Sequence, residues 1–570
     1  MNATRLLPVL DWLPRYDRRL LRGDIVAGIA VTALIVPKDL GYAGIAGVPL
    51  QNGLYAAAAG ALFYALFCTS RQISTGPSSS LAAVAGGAVI ATDLTGDQAA
   101  QLVAAITLAT GALFLLMAVF KLGRIAQFLS KAVVTGFLAG AAIDVVIGEL
   151  PKLTGTDADG KNAWRELGSW VGSLDGTHGT TVLVGLASLA VILGLRWVAP
   201  KVPGALVLVV GGLLASSVFD LGAHGVALVG DVPRGLPSPQ LPDGHVFADH
   251  AATITAAAVA LLLIGFSQTA GDARAFATRH RYRIDVDQES VAQGMANVGA
   301  GIFQGMPVST SLSASSLNES AGARTPLASL VTGVLVVLTL LVLAPVFSDL
   351  PKPVLAALII DAVVFGMIDV GELRRLARVK RVDFVIAVVA FVGVLSIGVL
   401  GGVVLGVGLS LAWLVYVTTA PEMPLLGRER RTAAFRELDE HPGDETFSGI
   451  VVLRLDGGLF FATADALHER LRALLEGDPP EAHAIVLDLA GVDFLDSQGS
   501  AKLAELAATG ERLGVTLRLA HVKPGELRVL AADGVLEELG AERVHAGLND
   551  AVEAQLAADA RAAGEAPARV

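Results

Sequence analysis

Two stretches of this chain place backbone-breaking residues and hydroxyl side chains inside otherwise apolar sequence. The first is Ser74 to Gly87, STGPSSSLAAVAGG, and the second is Gly305 to Pro326, GMPVSTSLSASSLNESAGARTP. Backbone at membrane depth must satisfy its own hydrogen bonds, so such a break is tolerated only where it lines a cavity or is packed in protein. After the second break, Ser309 to Asn318 can start a helix, with Ser and Thr ready to cap it. A helix N-terminus there offers free N–H groups and roughly half a positive charge. The chemistry this allows is anion binding. Interrupted segments at corresponding places in two halves of a chain point to the binding site of a transporter.

Four ionisable residues fall inside apolar runs: Lys38, Asp39, Asp144 and Asp361. Such groups are costly in lipid and are functional candidates by default. The bland alternative for Asp144 and Asp361 is an internal polar partner or contact with water. Lys38 and Asp39 are adjacent, so on a regular helix they do not face each other. An unwound helix end would let both reach a cavity. Other motifs lead nowhere. Gly155 to Lys161, GTDADGK, nearly spells a phosphate loop, but Asn162 stands where Ser or Thr is needed and no strand precedes it. The histidines lack metal-ligand spacing. The single cysteine, Cys68, excludes an internal disulfide. Nothing forms a nucleophile–His–acid set, so no enzyme is expected, and no structural metal or covalent cofactor.

The elements that position these residues follow from hydropathy. The 570 residues are 53% hydrophobic and 17% charged, which is a polytopic membrane protein with a soluble part. The net charge of −11 belongs largely to the sequence after Pro421, and no basic region suits nucleic acid. Apolar runs fall near 23–38, 53–68, 77–91, 99–119, 130–148, 180–198, 203–219, 250–267, 288–303, 310–320, 326–347, 353–370, 383–400 and 401–419. That is about fourteen segments, several shorter than the ~20 residues of a full span. With the N-terminus in the cytoplasm, the inner loops collect the bases, notably Arg274 to Arg283 and Arg374 to Arg381. Seven plus seven segments make the repeats inverted, so the two broken helices should meet N-terminus to N-terminus.

The texture changes after Pro421. Ile450 to Ala462, Ala484 to Leu489 and Val515 to Ala520 read as strands, and Ala464 to Leu475 as an amphipathic helix. This predicts a small cytoplasmic α/β domain over 446–558, joined by a linker at 421–445. A cytoplasmic segment at 1–22, a membrane part at 23–420 and a frayed tail at 559–570 complete the division. Asp496-Ser497-Gln498-Gly499 opens a helix after a strand. Ser497 falls at its N-cap or first turn, where a phosphate is electrostatically welcome. A plain capping role is the competing reading.

The pieces together resemble the sulfate permease (SulP) family of anion transporters. The resemblance rests on Pro37 to Ala56, Thr69 to Pro77, Tyr282 to Glu289 and Ala296 to Pro326, and for a STAS domain on Val486 to Leu503. It covers nearly the whole chain. It implies a core-plus-gate membrane fold, a homodimer and an elevator motion. Carried over by position, it implies an anion site of Lys38 and Tyr42, of Ser78 and Ser79 on the first half-helix, and of Ser313 and Ala314 on the second. Three positions depart from the family pattern. Lys38 stands where Gln is frequent, Ala314 where many members have Arg, and Gln268 where several proton-coupled members have Glu. Read as one change, the first two departures would have Lys38 restore the missing positive charge from the opposite wall. Gln268, the other coupling candidate, weakens proton coupling through its own segment, and Asp39 could take that part over; the opposite reading has Asp39 merely neutralise Lys38, and the sequence leaves both open. The implied function is secondary transport of a small inorganic anion in the plasma membrane, both termini cytoplasmic. Sulfate leads, with bicarbonate or a dicarboxylate as rivals, coupled to H+ or Na+. A regulatory role, with the STAS domain docking a protein partner, is the second reading. A nucleobase permease is disfavoured because that fold lacks the STAS tail.

Overall fold

The computed structural model describes residues 7–121, 130–160, 162–199, 202–475 and 482–562. It divides into two compact units, one up to Leu411 and one from Ala412. The first six residues of the expected N-terminal segment and residues 563–570 of the expected tail lie outside the described residues.

In the first unit the apolar runs become helices: α1 (Leu21–Ile45), α2 (Leu50–Phe67), α3 (Ser79–Thr92), α4 (Gly96–Val119), α5 (Lys131–Thr154), an amphipathic α6 (Ala163–Gly172), α7 (Gly179–Val198), α8 (Gly204–Phe219), α9 (Ala251–His280), α10 (Val286–Ile302), α11 (Leu312–Ser320), α12 (Leu327–Val342), α13 (Lys352–Met367), a short α14 (Val370–Val379) and α15 (Arg381–Thr419). Seven helices among the described residues are long and apolar enough to cross a membrane. The others are shorter or more polar, and α15 is broken at Gly398, whose φ of 84° is open to glycine and strained for other residues. Two helices outrun their apolar stretches. α1 continues past Lys38 and Asp39 to Ile45, so the unwound end expected there is replaced by regular helix. α9 continues to His280. In both cases polar residues end the hydropathy signal while the backbone goes on hydrogen-bonding.

The helices sort into two groups by packing. α10 lies against α2 and α4, and α12 against α1 and α2, so the two halves of the chain interlock. α13 packs on α5 and α7, and α7 on α8, forming a second layer that meets α1 through α8 and α13. These are the core and gate groupings. Small residues permit the closest approaches. A Cβ on Gly53 would stand 2.0 Å from the Asp39 carbonyl oxygen, so α2 can touch α1 there only as glycine.

The second unit holds a four-stranded parallel sheet in the order β5-β6-β7-β8 (Ile450–Arg454, Ala484–Asp488, Thr516–Ala520, Val544–His545). Alternation divides its apolar side chains. Leu453, Ile485, Leu487, Leu517 and Leu519 belong to one core, and Val452, Ala484, Val486 and Ala520 to another, covered by the C-terminal helix Leu548–Ala562. Residues 421–445, expected as a linker, carry a hairpin instead, β3 (Leu426–Arg428) with β4 (Phe435–Glu437). Its Leu426 is buried in the second of those cores. The C-terminal helix also runs beyond the expected boundary at 558, held by Gln555 donating to Asp559 at 2.8 Å.

Replacing Gly53 with Val should push α2 off α1. The expected cost is about 3 kcal/mol, read as a lowered thermal midpoint of the detergent-solubilised protein.

Candidate functional site

The two breaks meet. β1 (Thr75–Gly76) and β2 (Ser309–Thr310) form a two-residue antiparallel pair, with Thr75 opposite Thr310 and Gly76 opposite Ser309. Because the strands run in opposite directions, α3 and α11 leave the crossing in opposite directions, as the inverted repeat requires. The caps repeat as well. Ser78 Oγ accepts from the Leu81 amide at 3.4 Å and lies 3.1 Å from Ser80 Oγ. Ser311 Oγ accepts from the Ala314 amide at 3.4 Å and lies 3.2 Å from Ser313 Oγ. The amide of Ala314 is therefore engaged by the cap, and its side chain is buried. The second half-helix offers Leu312 and Ser313 N–H groups in its place, as the first offers those of Ser79 and Ser80.

Non-helical backbone at this depth needs partners, and dedicated side chains supply them. The buried Glu289 accepts from the amides of Thr69 and Ser70, both at 2.8 Å, from both their hydroxyls, and from the Tyr64 hydroxyl. It thereby fixes the loop leading to α3. Asn297 accepts from the Val308 amide at 3.0 Å and donates back to its carbonyl at 2.9 Å, as a neighbouring strand would. Gln268 joins the two breaks, accepting from Ser309 at 2.6 Å and donating to Ser80 at 3.1 Å. Gln268 thus bridges the breaks with one accepted and one donated bond, and an ionised glutamate there would lose the donated one.

A cavity of about 830 Å³ opens in front of both half-helices. Lys38, Asp39, Tyr42, Ser78, Ser79, Gln268, Ser313 and Ala314 all line it, so the structure brings together every membrane residue the sequence put at the site. Four further charged residues, Lys131, Arg196, Asp272 and Asp361, complete its wall. Arg196 of α7 makes a fork with Asp361 of α13, at 2.7 and 2.8 Å from one nitrogen and 3.0 Å from Nε, and stacks on Phe365. Lys131 pairs with Glu372 at 3.2 Å. Asp272, one turn beyond Gln268, accepts from Thr310 Oγ1 at 2.9 Å. Sequence reading missed Arg196, Lys131 and Asp272 as site residues; hydropathy placed all three near segment ends. Lys38 alone among these cations has no hydrogen bond or ion pair with a described residue. Asp39 is buried, and its Oδ2 has no hydrogen-bond partner.

The remaining candidates separate. Asp361 has the internal partner that the bland reading required. Asp144 lies in a different cavity, about 760 Å³, with Asp93, Glu166 and Gly398. There burial, and then the nearby Asp144, push the Glu166 carboxyl up to about 7, so this cavity loses negative charge as pH falls through neutrality. Ser497 is the exposed first residue of its helix (Ser497–Arg512), but the cap is Asp496, which accepts from the Gly499 amide at 2.7 Å. A phosphate on Ser497 would meet that carboxylate, a repulsion set against the helix dipole.

Residues 21–390 match the sulfate permease family and residues 441–551 the STAS domain. A probable sulfate transporter of Mycobacterium tuberculosis is 34% identical over 97% of this chain and 99% of its own length. The fold matches murine Solute Carrier 26 family member A9, an anion transporter solved in the inward-facing state, with a TM-score of 0.86 over 97% of this chain and 94% of that one, at 22% identity. It also matches the transmembrane domain of the cyanobacterial bicarbonate transporter BicA, with a TM-score of 0.60 over 69% of this chain and 99% of that one, at 23% identity.

Glu289→Ala should strand the donors of the loop before α3. The expected loss is at least about 3 kcal/mol, seen as a lower unfolding temperature in detergent.

Proposed function

Because this chain belongs to the sulfate permease family of membrane transporters, with a STAS domain towards its C-terminal end, we propose that it carries sulfate across the plasma membrane. The anion sits between the N-termini of α3 and α11, with Lys38 as its cation. The observation that carries this reading is the unpaired Lys38 in the cavity both half-helices face. Two facing half-helices supply about one positive charge in total. A dianion calls for roughly one more. Arg196 is matched by Asp361, and Lys131 shares Glu372 with Arg375, so Lys38 is the cavity cation without an ion pair among the described residues and is given that role.

Proton coupling follows from the same charge balance. Asp39 opposes Lys38, and a proton on its unpartnered Oδ2 removes that opposition just when a dianion arrives. Asp272 is the second carboxylate in the cavity, but Thr310 engages it. Proton symport through Asp39 is therefore favoured over coupling through α9. The wall carries Lys131 at the start of α5 and Arg196 near the end of α7, ends that the basic-loop bias assigns to the cytoplasm. An inward-open cavity, cytoplasmic termini, and a core carrying the anion past the gate in an elevator motion fit this placement.

Sulfate uptake into proteoliposomes tests the reading. Uptake should rise as the external side is acidified, and selenate or thiosulfate should compete where chloride and succinate do not. Lys38→Gln should weaken sulfate affinity by about tenfold or more, the worth of ~1.4 kcal/mol. Asp39→Asn should flatten the pH profile while Asp272→Asn leaves it in place. Uptake driven by Na+ alone, or flux of bicarbonate without sulfate, would reject proton-coupled sulfate transport.

A further inference from the structure

The ten-residue helix α14 joins two apolar helices, α13 and α15, and is too short and too charged for the hydrocarbon, so it lies where the membrane meets water. Five of the eight residues from Arg374 to Arg381 are basic. Its inner face is fixed. Leu376 is buried in a cluster with Ala132 of α5 and Ala387 of α15, and Leu373 and Phe384 pack against it. Asp369 caps the first turn, accepting from the Glu372 amide at 2.8 Å. The Glu372 carboxylate is buried and takes Arg375 at 2.7 and 2.9 Å and Lys131 at 3.2 Å. The outer face is different. Arg374 and Arg378, one turn apart on one side of the helix, are exposed, as is Arg381 at the start of α15. Among the described residues none of these three has an ion pair; Arg378 Nε donates to the Arg374 carbonyl at 3.3 Å. Val370 and Val379 at the two ends of the helix are 50% and 70% exposed.

We infer that the exposed face of α14 is a binding surface for anionic phospholipid headgroups of the cytoplasmic leaflet. Unpaired guanidiniums beside exposed apolar side chains suit the interface: the valines meet the acyl boundary and the arginines reach the phosphates. Each basic residue next to a spanning helix adds attraction to an anionic leaflet. The planar fork of arginine takes two phosphate oxygens at once. Because Glu372 fixes the helix, the three guanidiniums are presented on a rigid frame. Arg279, in the other basic stretch, is by contrast spent on Glu319. The leaflet follows from Lys131, which Glu372 holds at the end of α5 that the basic-loop bias assigns to the cytoplasm. Since α14 packs on α5, a bound headgroup ties the gate layer to the bilayer. The inference shares that membrane orientation with the transport reading above and does not depend on which anion is carried.

The test follows the unfolding temperature of the full chain in a neutral detergent as dihexanoyl phosphatidylglycerol is added. Dihexanoyl phosphatidylcholine, glycerol 3-phosphate and a glutamate-rich peptide are the other arms. Each variant is first shown to be monodisperse by gel filtration. Phosphatidylglycerol alone should stabilise the wild type, and the effect should fade as salt is raised. Arg374→Gln/Arg378→Gln/Arg381→Gln should raise the lipid concentration at half-effect about tenfold or more. Lysine at the same three positions should keep most of the effect. Removing as many charges from the N-terminal segment, as Arg18→Gln/Arg19→Gln/Arg22→Gln, should leave it near wild type. Equal losses in the two glutamine variants would show a diffuse attraction to the whole basic end and overturn the inference. So would an equal shift with phosphatidylcholine, with glycerol 3-phosphate or with the peptide, the last reassigning the face to a protein partner. If the triple variant does not fold, Arg378→Gln alone carries the test: a loss of about fivefold is expected, and no change overturns the inference. A lipid effect in a protein without sulfate flux leaves this inference standing and removes the sulfate reading; flux without a lipid effect does the reverse.

Discussion

Breaking a helix inside a membrane leaves amide and carbonyl groups that no water can satisfy, and this chain breaks two of them at the same place. The structure answers with a two-residue sheet. Thr75 and Gly76 pair with Ser309 and Thr310, and the Ser311 amide reaches back to the Ser74 carbonyl at 3.0 Å. What the pair leaves unsatisfied, side chains from intact helices take up: Glu289 on one approach, Asn297 on the other, Gln268 between them. The free N–H groups that remain are those facing the cavity. Under the proposed reading, the anion site arises at the mouth of each half-helix, where the first N–H groups face the cavity.

The charges around that mouth obey the same economy. Arg196 has Asp361, Lys131 shares Glu372 with Arg375, and Asp272 has the Thr310 hydroxyl. Against this background Lys38, without an ion pair among the described residues, and Asp39, buried with Oδ2 unpartnered, stand apart. They are neighbours in sequence and both line the cavity, yet the helix carries their side chains in different directions. One is turned to the cavity without a partner, and the other is buried with an oxygen unmatched. Under the proposed reading, keeping the two side chains apart leaves the attraction of Lys38 for an anion uncancelled at contact distance.

Much of this was readable before the fold was known, and the limits have physical causes. The breaks were visible because Gly, Pro and Ser interrupt apolar runs, and their meeting followed from the odd number of segments in each half. Ser78 and the Ser313 region were legible because helix caps need hydroxyls next to the break. Partners supplied from far along the chain were not. Glu289 lies 220 residues from Thr69, and Arg196 lies 165 from Asp361; no local pattern encodes either pair. Asp272 was hidden differently. Hydropathy ends a segment where the lipid-like signal ends, but α9 continues because its polar end faces water and protein. The same error shortened α1 at Lys38. In a transporter the helix ends that line the cavity are the ones whose composition looks least like a span. The hairpin at 421–445 escaped for another reason, since its strands are only three residues each and too short for alternation to register.

The two half-helices are near copies in their caps and differ in what surrounds them. The first faces α1 with Lys38 and Asp39; the second carries Ala314, buried and with its amide committed to the cap. A permanent cation at Ala314 would hold an anion at every pH, because a guanidinium does not titrate. Moving the charge to Lys38 sets it beside a carboxyl whose protonation decides the net charge of the site. Under the proposed reading, the exchange of an arginine on one wall for a Lys-Asp step on the other changes the logic of binding. The affinity for a dianion becomes conditional on a proton, and the empty, deprotonated site is left with Asp39 opposing Lys38.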